Sequence, residues 1–249
     1  MKLLYHFIGR GKPEDEAYGL LLRILNCGCL IPNQKGENAY FDFGPLFEKI
    51  HLGDRLPVSF IDRDNCDDSA FKEHMEKYSK FGIGFEKDFI LREGGEPAFY
   101  CINRNDGKTS CENRMHICNL VKSLDNIDVK DSDIKKEFYE VLKFVKPFNI
   151  DTNNQKSSEY FEREWRIIAT DGIDGCFAWN FTEAPAIYGA KDTIREIIVP
   201  RAYQDLLRNN IANTVYYKKY SSRSSLPKLC IAEEIDKGHV AESIGIRIE

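Results

Sequence analysis

Tyr160-Phe161-Glu162-Arg163-Glu164-Trp165-Arg166-Ile167-Ile168-Ala169-Thr170 packs four charged residues against an apolar segment with two adjacent isoleucines. In an extended chain Phe161, Arg163, Trp165 and Ile167 fall on one face, and Glu162, Glu164, Arg166 and Ile168 on the other. The stretch therefore reads as a strand whose entrance carries two carboxylates and a guanidinium. Carboxylates this close repel, so one must be held by an arginine or be partly protonated, which is how sites acquire groups with displaced pKa values. The same spacing also fits an edge strand whose Glu and Arg side chains pair across its surface.

Upstream, Leu3 to Ile8 reads as a short strand around His6. Pro13 opens a helix with Ala17, Leu20, Leu21, Ile24 and Leu25 on one stripe, and Gly28 stops it. Leu56 to Arg63 reads as a buried strand containing Ser59. Ser69 is placed to cap a helix on which Phe71, Met75 and Tyr78 share a face. Gly82-Ile83-Gly84 follows it, either as a tight turn or as a place where backbone approaches a ligand. Lys87 to Arg92 reads as a short helix, Ala98 to Ile102 as a strand, and Arg114 to Leu124 and Ser132 to Lys146 as helices, the last ended by Pro147.

Downstream, Ile194 to Val199 reads as a strand, Pro200 opens a helix over 201–209, and Thr214 to Lys218 and the segments around Leu229-Cys230-Ile231 and Ile244 to Ile248 are extended. Strands interleaved irregularly with helices predict an α+β fold around a mixed or antiparallel central sheet. With 249 residues, 42% of them hydrophobic, the chain can bury a substantial core, and a single domain is expected.

A formal net charge of −5 without a long basic run gives no field that grips a nucleic-acid backbone. No stretch reaches the roughly 20 apolar residues needed to span a bilayer, and the N-terminus lacks the pattern of a signal peptide, so a cytoplasmic location is expected. The eight cysteines then read mostly as reduced, small apolar side chains. Cys111, His116 and Cys118 match no paired-ligand zinc spacing, and no metal is expected.

Several segments carry a resemblance. Leu4-Tyr5-His6-Phe7, Val58-Ser59-Phe60-Ile61-Asp62, His74-Met75 followed by Tyr78 and Phe81-Gly82-Ile83-Gly84-Phe85, Lys87 with Phe89-Ile90, Pro97-Ala98-Phe99-Tyr100 and Glu162-Arg163-Glu164-Trp165-Arg166 resemble, in this order, the AbiGi family of bacterial proteins tied to abortive infection. That resemblance implies phage defence and, since the family label includes the word antitoxin, a partner protein in a two-gene system.

At the level of architecture the chain also resembles ADP-ribosyltransferases, which place a His or Arg on an early strand, a Ser or Tyr on a middle element, and a Glu, often in Glu-x-Glu, at the start of a later strand. His6, Ser59 or Tyr78, and Glu162-x-Glu164 have that order. The resemblance implies NAD as co-substrate, with Glu164 stabilising positive charge at the ribose, Glu162 orienting the acceptor, His6 hydrogen-bonding ribose or amide, Ser59 contributing to the cofactor site and Tyr78 stacking on nicotinamide. The alternative expectation is a non-catalytic antitoxin that restrains its partner through the Glu-Arg-Glu-Trp-Arg stretch.

Overall fold

The computed structural model describes residues 2–27, 29–30, 40–41, 50–51, 57–65, 68–104, 119–120, 123, 137–138, 140–150, 163–168, 177–178, 194–214 and 227–235. Along the chain run β1 (Leu3–Phe7), α1 (Glu14–Cys27), β2 (Cys29–Leu30), β3 (Tyr40–Phe41), β4 (Ile50–His51), β5 (Pro57–Asp62), α2 (Asp68–Lys77), β6 (Gly82–Glu86) and α3 (Lys87–Arg92). They are followed by β7 (Glu96–Pro97), β8 (Phe99–Arg104), β9 (Val145–Ile150), β10 (Glu164–Ile168), β11 (Phe177–Ala178), β12 (Ile194–Val199), α4 (Gln204–Ile211) and β13 (Lys228–Ile231).

Seven strands form one sheet in the order β13-β12-β6-β1-β5-β10-β7. Only the β12/β13 pair is parallel; the other neighbours are antiparallel, which makes the sheet mixed and the fold α+β as expected. The strand nearest the N-terminus, β1, lies between β5 and β6 near the middle of the sheet. It can do so because all five of its residues are apolar, aromatic or histidine, suited to packing on both faces. No helix among the described residues is long and apolar enough to cross a membrane.

The two faces bury different sets of side chains. On one, Leu4, Val58, Phe60, Ile83, Phe85, Ile167 and Ile197 pack with Ala17, Leu21 and Leu25 of α1, Phe89 and Ile90 of α3, and Leu207 and Ile211 of α4. On the other, Leu3, Tyr5, Ile61, Ile198 and Cys230 pack with Phe71 and Met75 of α2. In β12 a bulge between Ile194 and Glu196 breaks the strict alternation, so Ile194 joins the first face while Glu196 turns to the second.

The structure alters two local expectations. Gly82 and Gly84 are interior positions of β6, rather than a turn or an open loop. A Cβ on Gly84 would stand 2.8 Å from Cε1 of Tyr5, and one on Gly82 would stand 3.2 Å from Cδ1 of Phe7. The missing side chains make room for two aromatic rings of β1, which α2 then covers through Phe71, its ring centroid 5.0 Å from that of Tyr5 and 5.6 Å from that of Phe7.

The helix expected to run to Lys146 ends earlier, and Val145–Ile150 is instead β9, paired in parallel with β8. The apolar helical spacing of Ile134 to Val145 continues in sequence into a segment rich in β-branched and aromatic residues, and that segment takes a strand partner. Pro147 is tolerated there because a two-stranded ladder leaves an outer edge where no N–H is needed. The expectations for 114–118, 187–190, 215–218 and 244–248 lie outside the described residues.

Candidate functional site

The charged entrance of β10 is buried. Register with β5 sets Glu164 opposite Ile61 and Arg166 opposite Ser59, so Glu164, Arg166 and Ser59 all project from the α2 side of the sheet. Glu164 and Arg166 are each only 5% exposed. Ser59 Oγ donates to Glu164 Oε1 at 2.6 Å, and Arg166 Nε donates to the same oxygen at 2.8 Å. Arg166 Nη1 reaches the carbonyls of Lys143 at 2.6 Å and Val145 at 3.3 Å. The Glu164 N–H donates to the Tyr100 hydroxyl at 3.0 Å.

This is a satisfied network, and it has a mechanical role. A guanidinium withdrawn from water needs its donors occupied, and the two carbonyls complete what the single carboxylate oxygen begins. Those carbonyls lie where the chain enters β9, so Arg166 ties the β8/β9 pair to the main sheet. Backbone bonds run alongside, from Ala98 N–H to the Glu164 carbonyl at 2.8 Å and from Phe99 N–H to the Phe144 carbonyl at 2.7 Å.

His6 stands on the other face. Leu4 pairs with Asp62 and Tyr5 with Ile61, so His6 continues the ladder opposite Phe60, and the two rings lie 5.8 Å apart. Its link to the β10 entrance is through backbone: His6 Nδ1 lies 3.0 Å from the Ser59 carbonyl. A carbonyl only accepts, so Nδ1 carries the proton and the ring is the Nδ1–H tautomer. Burial pushes the His6 pKa below its ordinary 6.5, against the smaller opposing pull of that bond.

A base neutral when folded and protonated when unfolded stabilises the fold fully above 6.5, and that contribution is lost as the pH falls from there through the lowered value. Denaturant titrations should show stability falling as the pH drops below the ordinary histidine value of 6.5, and His6→Gln should remove that part of the fall.

Tyr78 lies just past the end of α2. Its ring stacks on His74 with centroids 5.8 Å apart, and Arg10 Cζ lies 4.9 Å from its centroid. The sheet thus brings the Ser59 and Glu164 side chains together, sets His6 on the reverse side, and leaves Tyr78 engaged with Arg10 and His74. Glu162 lies outside the described residues.

Sequence reasoning passed over Tyr100, whose hydroxyl braces the Glu164 backbone, and a second polar cluster on the α2 side. There Tyr5 OH donates to Glu196, which also accepts from Cys230 Sγ at 3.5 Å. Burial and then the neighbouring Glu196 carboxylate push the Tyr5 hydroxyl and the Cys230 thiol well above their ordinary pKa values. The available signal was the pair of glycines in β6: Gly84 lies between Tyr5 and Glu196 in register, and its bare backbone lets the phenol reach across.

Among known proteins, residues 58–176 match the family described as "Putative abortive phage resistance protein AbiGi, antitoxin". The matched span takes in β5 to β10 of the main sheet and the whole Ser59–Glu164–Arg166 network. No curated protein and no solved structure matches the chain.

Proposed function

We propose, from the premise that the chain belongs to the AbiGi family through residues 58–176, that it is the antitoxin of a two-gene phage-defence system and restrains its partner by binding it. One observation carries the preference for binding over turnover. The carboxylate best suited to chemistry, Glu164, is buried and bonded to both Ser59 and Arg166, while His6 projects from the opposite face. A carboxylate that must stabilise charge on a ribose needs access to the sugar, whereas a buried, hydrogen-bonded one fixes a surface in place.

A second reading, NAD turnover with Glu164 at the ribose, draws on the 2.6 Å approach of Ser59 to Glu164, which unites two of the residues that chemistry requires. One experiment separates the two readings. The purified chain and the toxin of its two-gene system are mixed with NAD, and complex formation and nicotinamide release are followed together. A tight complex that neutralises the toxin without releasing nicotinamide is expected. Release by the wild-type chain that disappears in a folded Glu164→Gln variant would select the enzyme instead.

A further inference from the structure

We infer that the toxin docks on the open end of the β7/β10 ladder, at Arg163, Phe99 and Val141, and that it presents an acidic group there. The inference rests on the binding reading above and names its surface. Three observations on different segments meet at this place. Arg163 has φ of 44°, the single positive φ among the described residues other than glycine, and its side chain is exposed. Phe99 is 61% exposed and Val141 56% exposed, the two most exposed large apolar side chains described.

Backbone hydrogen bonds link the segments that carry these residues. β7 and β10 pair Pro97 with Trp165 and Glu96 with Arg166, and the bond from Ala98 N–H to the Glu164 carbonyl carries the contact one step further, so Phe99 and Arg163 are the next residues along the two chains. Phe99 N–H then bonds the Phe144 carbonyl, and Phe144 N–H bonds that of Val141, which brings Val141 to the same rim.

The rest of the Glu-Arg-Glu-Trp-Arg stretch does not offer a comparable surface. Arg166 is buried in its network, and Trp165 is half-buried beneath Lys87, whose Nζ lies 4.2 Å from the ring centroid. Arg163 is therefore the described residue of that stretch that presents its charge to solvent.

The chemistry of the occupant follows from charge. The chain as a whole is acidic, yet among the described residues no carboxylate pairs with Arg163. A guanidinium flanked by a phenyl ring and a valine fits an acidic side chain set in an apolar rim, the arrangement in which Arg and aromatic residues act as binding anchors. The left-handed backbone supports the assignment. A non-glycine residue there carries strain, and among the described residues no ion pair of the Arg163 side chain offsets it.

That strain supplies the test. Arg163→Gly accepts φ of 44° freely, so its Tm should equal or exceed that of the wild type, while its Kd for the purified toxin rises at least roughly tenfold. Phe99→Ser should weaken binding by a similar factor, and the Arg163 contribution should shrink as salt is raised. Leu206→Ser, on the exposed side of α4, is the control and should bind as the wild type does.

If the wild-type chain binds toxin and both Arg163→Gly and Phe99→Ser bind equally well, the docking surface is wrong and the antitoxin reading survives. If the folded wild type binds no toxin, both fail. Self-association that Arg163→Gly or Phe99→Ser abolishes, with toxin binding unchanged, would give this surface to a second copy of the chain and overturn the inference.

Discussion

Arg166→Met should cost the fold about 3–5 kcal/mol, the usual penalty for removing one partner of a buried ion pair. The loss is expected to be this large because the guanidinium does two things at once. It neutralises Glu164, which is 5% exposed, and it supplies donors to the carbonyls of Lys143 and Val145. Without it a buried carboxylate keeps only Ser59 and its other local contacts, and two carbonyls lose a donor. Urea denaturation of wild type, Arg166→Met and the double variant Glu164→Leu/Arg166→Met measures the effect. The double variant should recover a good part of the loss, since an apolar pair replaces the charge instead of stranding it. If Arg166→Met alone unfolds at the wild-type midpoint, the network does not hold the β8/β9 pair against the sheet.

Gly84→Val should cost about 3 kcal/mol, at the upper end of what inserting bulk into a packed interior costs. The first added carbon would stand 2.8 Å from the Tyr5 ring, and that ring has no easy retreat. Its hydroxyl is bonded to Glu196, and Phe71 packs edge-on against it. Any relief must break the Tyr5–Glu196 bond or lift α2. Pairing Gly84→Val with Tyr5→Ala should return part of the stability by vacating the space, whereas Tyr5→Ala alone should only destabilise, leaving a cavity under Phe71. Equal stability of wild type and Gly84→Val would remove the proposed reason for the paired glycines.

The elements legible in the sequence were those whose signal is local. Ala17, Leu21 and Leu25 lie on one helical stripe, and they are the buried residues of α1 together with Tyr18. Ile194 to Val199, Leu56 to Arg63 and Lys87 to Arg92 likewise announced their class through short runs of suitable side chains. What stayed hidden depends on register between distant strands. Ser59 and Glu164 meet while His6 points away because the two antiparallel registers set both Tyr5 and Glu164 opposite Ile61, which puts Glu164 on the face of Tyr5 and not of His6, and no spacing along a single strand encodes that. Gly82 and Gly84 were opaque for the same reason, since their reason for lacking side chains is carried by Tyr5 and Phe7. At Val145 the helical spacing ran on past the point where a parallel partner, β8, captured the backbone.

The position of β1 bears on how this protein can be divided. The family-matched segment begins at residue 58, within β5, and ends at residue 176, yet the strand that joins β5 to β6 is residues 3–7, and β12 on the far side of β6 begins at residue 194. Expressed by itself, residues 58–176 would carry two unzipped seams where β1 belongs and a third where β12 belongs, each a row of unsatisfied backbone groups inviting aggregation. Supplying Leu3–Phe7 in trans as a peptide would fill the first gap in the manner of a donated strand, which makes the N-terminal segment a handle for assembling or dismantling the sheet at will.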